Sequence, residues 1–179
     1  MSGVRSWAHR RALKVFGALP RRVRRMLVRL GSPKYTVGAI CIVRREDGAV
    51  LLVRHSYYRL WGTPGGLAKR HERPEAAVVR ETMEEVNLAV ELIGEPVVVV
   101  EPVPHRVDIV FLARPAPGAD PDDARPSSPE IERTEWFPID RLPPLQIETV
   151  TALRALERSG WNVTQPSTWP PSSNSSQSP

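Results

Sequence analysis

Two apolar periodicities divide this chain. Before residue 31 the spacing is helical. Ala8, Ala12, Val15, Phe16 and Leu19 share one face of residues 5–19, and Val23, Met26, Leu27 and Leu30 recur at i, i+3, i+4 and i+7 with arginines opposite. Pro20 suits a first helical turn and Gly31 with Pro33 is a stop signal, so the segment predicts an amphipathic helical hairpin. From Tyr35 the apolar runs shorten. Residues 36–43 and 50–53, joined through Glu46-Asp47-Gly48, read as a β-hairpin, and residues 89–93, 97–100, 107–113 and 131–137 read as further strands. A central helix carries Ala76-Ala77-Val78-Val79 as its packing stretch, and residues 149–158 form a last amphipathic helix. Strands on both sides of one central helix, with a second helix at the end, predict an α/β fold whose mixed sheet is covered on both faces. Residues 115–129, rich in Pro, Asp and Ser, are expected to form a mobile loop. The Pro/Ser/Asn/Gln-rich stretch 165–179 is expected to be disordered. The expected organisation is an arm over 1–34, a folded body over 35–160 and a tail over 161–179.

With 179 residues the chain is long enough for one domain with a proper core and too short for two comfortable ones. Its net charge of +5 is unevenly placed: the first 34 residues hold eight Arg, two Lys and no acid, which leaves the remainder at −5. The arm therefore invites three readings. Its apolar stripe packs on the body or on a second subunit in a homodimer, or the arm lies on an anionic membrane, or it contacts nucleic acid. The first is the simplest, because stripes of this width usually face protein. The single cysteine, Cys41, lies in an apolar run and reads as a small buried hydrophobe in a reducing compartment. No stretch reaches the roughly eighteen to twenty apolar residues a membrane span needs, and the N-terminus lacks a signal-peptide core, so a cytoplasmic protein is expected. Arginine outnumbers lysine 22 to 3, with Ala, Val and Pro plentiful, a bias that suits a GC-rich bacterial genome.

The chemistry concentrates between Gly66 and Leu88. On a helix, Glu81, Glu84 and Glu85 stand at i, i+3 and i+4, so three carboxylates converge within one turn. They repel one another unless a cation neutralises them, and a hard divalent ion favours such oxygen ligands. Arg80 stands four residues before Glu84, where it can hold that carboxylate in one orientation. Just before the helix, Thr63-Pro64-Gly65-Gly66 is a turn that brings bare backbone close to whatever the helix binds.

The spacing of Gly66, Glu72, Arg80-Glu81, Glu84-Glu85 and Leu88 resembles the signature box of the Nudix hydrolases, agreeing at seven of nine specified positions. Thr82 replaces the usual apolar residue and Asn87 the usual glycine. Asn tolerates the left-handed conformation that ends many helices, and a buried Thr can bond back to the preceding turn. The resemblance covers about residues 35–160 and implies an α/β/α sandwich with a mixed β-sheet, here preceded by the helical hairpin. It implies hydrolysis of a phosphoanhydride bond in a nucleoside diphosphate linked to another group, with Mg²⁺ or Mn²⁺ as cofactor. The family pattern makes Glu81, Glu84 and Glu85, with the backbone carbonyl of Gly65, the metal-binding candidates. Glu81 alternatively serves as general base, Arg80 orients Glu84, and Glu72 braces the loop.

Several members recruit a further acid from a late loop, for which Asp120, Asp122, Asp123, Glu130 and Glu132 are all available. Arg54, His55, Tyr57, Tyr58, Arg59 and Trp61 precede the turn and are candidates for gripping the nucleotide, rings by stacking and arginines by pairing with phosphate. Trp61 is equally plausible as core. Pro104, sixteen residues beyond Leu88, sits where ADP-ribose-cleaving members tend to have proline, whereas the segment from Trp61 to Gly66 looks equally like the triphosphate-cleaving branch. Two other classes remain as alternatives: a non-catalytic nucleotide sensor on the same fold, and an interaction protein docking through its basic arm.

Overall fold

A computed structural model describes residues 13–161, which fall into two compact units that divide between Lys34 and Tyr35. In the first unit residues 13–18 are helical and α1 spans Arg21–Gly31, with no buried residue. The N-terminal part of the expected first helix, and the tail beyond Trp161, lie outside the described residues.

The second unit runs β1 (Thr36–Val43), β2 (Val50–His55), β3 (Gly65–Leu67), α2 (Pro74–Val86), β4 (Val90–Glu101), β5 (Arg106–Pro115), β6 (Ile131–Phe137) and α3 (Ile147–Arg158). One sheet has the order β3-β1-β5-β4, with β1 parallel to β5 and the other pairs antiparallel; β2 and β6 form a second, antiparallel pair. Period-2 alternation splits each central strand between two cores. Cys41 and Val43, Leu51 and Val53, and Phe111 and Ala113 pack with Ala77, Val78 and Val86 of α2. Their neighbours Ile40 and Ile42, Val50 and Leu52, and Val110 and Leu112 pack with Ala152, Leu153 and Leu156 of α3. The strands thus form the middle layer of an α/β/α sandwich. Near-continuous apolar runs follow, because both faces of these strands are covered.

The structure corrects the expected β-hairpin. β1 and β2 form no ladder, being joined at the turn by an Arg44–Val50 bridge and the Arg45 N–H bond to Ala49 O, because β1 is paired on its two edges with β3 and β5 while β2 pairs with β6. The turn signal at Glu46-Asp47-Gly48 was real, but it carries the chain between sheets. The two strands expected at 89–93 and 97–100 are one strand, whose register shifts between Ile93 and Val97. Gly94 lies in that shift with φ +63°, and a Cβ there would run into the Trp161 indole. Such a positive φ favours glycine, and the interruption read in the sequence as a break is a bulge. The loop expected to be mobile is tied down. Arg125 and Ser127 donate backbone N–H groups to Val86 O (3.0 Å) and Glu85 O (2.8 Å), and the Trp136 indole N–H donates to Pro121 O at 3.0 Å.

Gly94→Val combines a β-branched residue at positive φ with a clash against Trp161. It is expected to lower the unfolding free energy by about 2 kcal/mol or more, read by urea denaturation followed by circular dichroism.

Candidate active site

The turn before α2 is held to the sheet by its own backbone. Cys41 donates its N–H to Pro64 O at 2.8 Å, and Gly65 pairs with Ile40 in the β1–β3 ladder. A side chain at Gly65 would collide with Ala39 O, and a Cβ at Gly66 would lie 2.6 Å from the carboxyl carbon of Glu81. The two glycines therefore let bare backbone lie directly against the acidic face of α2. Pro74 at the first turn of α2 needs no amide partner. At the other end Asn87 adopts φ 53°, ψ 35°, the left-handed cap that glycine would otherwise supply. Thr82 is fully buried, and its hydroxyl donates to Val78 O at 2.7 Å. Both departures from the family pattern are thus accommodated locally.

One guanidinium organises the acids. Arg80 grips Glu72 with two bonds, Nε to Oε1 at 2.8 Å and Nη2 to Oε2 at 2.9 Å. Its Nη1 reaches Glu81 at 2.7 Å and Glu84 at 2.9 Å. Glu72 also accepts the Lys69 N–H at 2.7 Å, and the Arg80 bonds, then this one, hold its carboxyl down at about 2. Arg80 itself is pushed further above its ordinary range, chiefly by Glu72. Among the described residues no arginine pairs with Glu85. Its Oε2 accepts the Gly65 N–H at 3.1 Å, it is 7% exposed, and burial raises its pKa to about 7, opposed by the Gly65 bond and reinforced by Glu81, Glu130 and Glu84.

Glu81 and Glu85 line a cavity of about 740 Å³ together with Tyr57, Tyr58, Glu130 and Arg106. Glu84 is half exposed and is not among the residues that line it. Of the candidates for gripping the nucleotide, Tyr58, Tyr57 and His55 line the cavity, and the His55 and Tyr57 rings stand 5.3 Å apart. Arg54, Arg59 and Trp61 do not line it. Arg54 pairs with Glu132 at 2.9 Å and lies over the Trp61 ring, which is itself buried edge-on against Phe137. The aromatic run before the turn is therefore divided between wall and core. Among the late-loop acids, Asp120 caps a 3₁₀ turn, Asp122 pairs with Arg45, and Glu132 is taken by Arg54. Only Glu130 of that group lines the cavity, where the Ser56 N–H holds its carbonyl at 2.8 Å.

The sequence reading missed Arg106. Its Nε donates to both oxygens of Asp108 at 2.8 Å, and Asp108 is 3% exposed. The absence of a side chain at Gly38 makes room for that carboxylate. With Nε so occupied, the terminal nitrogens of Arg106 have no hydrogen-bond partner among the described residues. An acid on the covered face of an otherwise apolar strand was the available signal. Among the described residues no three His, Cys, Asp or Glu side chains form a ready metal cage, since Arg80 stands among the acids as their counter-charge.

A sandwich of this topology, with an arginine-laced acidic helix under a glycine turn, defines a class of hydrolase fold, and comparison with known proteins names it. The NUDIX domain model matches residues 34–156, and the chain belongs to the Nudix family. A MutT-like protein of Streptomyces ambofaciens is 31% identical over 133 residues, 73% of this chain and 83% of that protein. An NAD-capped RNA hydrolase NudC of Photorhabdus laumondii is 30% identical over 123 residues; the match takes in 66% of this chain and 46% of that protein, so the chain spans less than half of this longer relative. Among solved structures, a MutT Nudix hydrolase from Burkholderia pseudomallei superposes with TM-score 0.57 at 30% identity, covering 69% of this chain and 99% of that one. An ADP-ribose pyrophosphatase from Streptococcus suis gives TM-score 0.57 at 26% identity, covering 70% and 92%.

Because the folded-state pKa of Glu85 is raised from 4.5 to about 7, the unfolded chain ionises it first. In metal-free buffer its contribution to stability is intact below about pH 4.5 and is lost as pH rises through about 7. Glu85→Gln, which keeps an acceptor for the Gly65 N–H, is expected to melt at least about 3 °C higher than the parent near pH 8 and alike near pH 4, by calorimetry. Arg80→Met leaves Glu72, Glu81 and Glu84 without their common partner and is expected to lower the melting temperature by about 5 °C.

Proposed function

We propose that this protein is a divalent-metal-dependent Nudix hydrolase that cleaves a phosphoanhydride bond in a nucleoside diphosphate linked to a further group. The observation that carries this reading is Glu85: a buried carboxylate fixed to the Gly65 amide, facing a nucleotide-sized cavity, with Glu81 and Glu130 close enough to raise its pKa. That donor set fits Mg²⁺ or Mn²⁺. Its oxygens are hard ligands, and gathered negative charge only partly offset by Arg80 is what a divalent cation neutralises. Glu81, Glu84 and Glu85, with the Gly65 carbonyl, would hold the ion. When bound, such an ion neutralises charge on the phosphate oxygens and lowers the pKa of water.

The chain's own side chains supply the rest. Arg80 limits where Glu81 and Glu84 can swing, so their oxygens are presented in few orientations. Glu130, which lines the cavity near Glu85, is the acid best sited to take a proton from an attacking water, with Glu81 as the alternative base. Tyr57 and Tyr58 offer rings for stacking on a base, and the free edge of Arg106 offers two donors to substrate oxygens or to a base edge. The relatives support the substrate class, since NAD-capped RNA and ADP-ribose, named for two of them, both contain a nucleoside diphosphate joined to another group. We assign the protein to a bacterial cytoplasm, in keeping with its bacterial relatives.

The test is hydrolysis of a panel of ADP-ribose, NAD, nucleoside triphosphates and nucleotide sugars with Mg²⁺ or Mn²⁺, with products resolved by chromatography. Release of a nucleoside monophosphate from one class is expected, and no cleavage across the panel with either metal overturns the reading. Glu85→Gln is expected to lower turnover at least about a hundredfold. Arg106→Gln is expected to raise KM about tenfold with little change in kcat.

A further inference from the structure

We propose that α1 is an interfacial anchor whose partner is an anionic phospholipid surface. At 100° per residue, Val23, Met26, Leu27 and Leu30 fill an arc of about 100°. Met26, Leu27 and Leu30 are 56%, 42% and 73% exposed, and no residue of the helix is buried. Arg22 and Arg24 border the two edges of that arc, Arg21, Arg25 and Arg29 share the remainder with Val28, and α1 contains no acid.

The two faces together select the partner. A nucleic acid would pair with the arginines but leave the apolar arc in water. An apolar protein groove would bury the arc but make no use of the five arginines, which would be left in water. The boundary of an anionic bilayer takes both: the arc enters the acyl edge, and the long arginine side chains reach outward to the phosphates. The helix, about 16 Å long by its rise per residue, lies along such a surface; none in the described residues is long and apolar enough to cross it. Binding of this type is reversible and salt-sensitive, and it adds a location to the hydrolase without altering its cavity.

The experiment is flotation of the full chain with vesicles of phosphatidylcholine alone or with about one-third phosphatidylserine, at about 0.15 M and about 1 M salt. The chain is expected to float with the anionic vesicles at low salt only. Leu27→Glu with Leu30→Glu should abolish flotation. Arg22→Gln with Arg24→Gln, which leaves the apolar arc and helical propensity in place, should weaken it at least tenfold. Nucleotide hydrolysis should be unchanged in both variants, and circular dichroism checks that the helix persists. Equal flotation with both vesicle types, or no flotation at low salt, overturns the proposal. So does a gel shift with RNA that survives Leu27→Glu and Leu30→Glu, or a dimer in solution that those substitutions dissociate, in the absence of anionic-vesicle binding.

Discussion

Four carboxylates crowded at one end of a domain repel one another, and the site depends on how that repulsion is distributed. Arg80 absorbs most of it, with two bonds to Glu72 and one each to Glu81 and Glu84. A lysine could not do this, because the rigid fork of a guanidinium reaches several acceptors in fixed directions. Glu85 is left outside the arrangement, with one backbone amide for company, and burial first, then the neighbouring carboxylates, raise its pKa to about 7. The same carboxylate makes the metal-free body less stable when ionised, and under the proposed function its charge is what a divalent ion would offset.

The scaffold matters because those bonds need backbone placed within fractions of an ångström. β3 is only three residues long, yet it pairs with β1 and, through Gly65 and Gly66, is pressed against both Ala39 and Glu81. β1 in turn is fixed by its parallel neighbour β5 and by burial on both faces. Packing far from the cavity therefore reaches it through a short path: core to β1, β1 to the glycine turn, turn to Glu85. From the other side, the late loop reports on the same helix, since Ser127 and Arg125 bond to the carbonyls of Glu85 and Val86.

What could be read in advance follows the range of the interactions. The acids of α2 and their arginine lie within one or two turns, so helical geometry alone brings them together, and the sandwich follows from strands that are apolar on both faces. The exchange of partners between β1 and β2 was hidden, because a turn signal reports that the chain reverses and says nothing about which edges are already taken. Gly94 was read as a gap between strands because its role depends on Trp161, which follows the end of another element. The aromatic run from Tyr57 to Trp61 shows the same limit at the site: Tyr58 and Trp61 differ little in chemistry, but Trp61 turns into the core beside Phe137 while Tyr58 stays on the wall.

Arg106, Asp108 and Gly38 carry that point into the question of specificity. Each is unremarkable alone: an arginine near a strand start, an acid in a strand, a glycine in another strand. Only the parallel register of β1 and β5, which sets Gly38 opposite Asp108, turns them into a braced guanidinium in the cavity. The acids proposed to hold the metal form one local block on a helix, whereas the proposed base Glu130 and the groups proposed to recognise a particular substrate come from β5, the segment after β2 and the late loop. A single helix can keep its chemistry while those three elements change independently. That separation accounts for how the reaction class was legible from one short motif when the nucleotide it acts on was not.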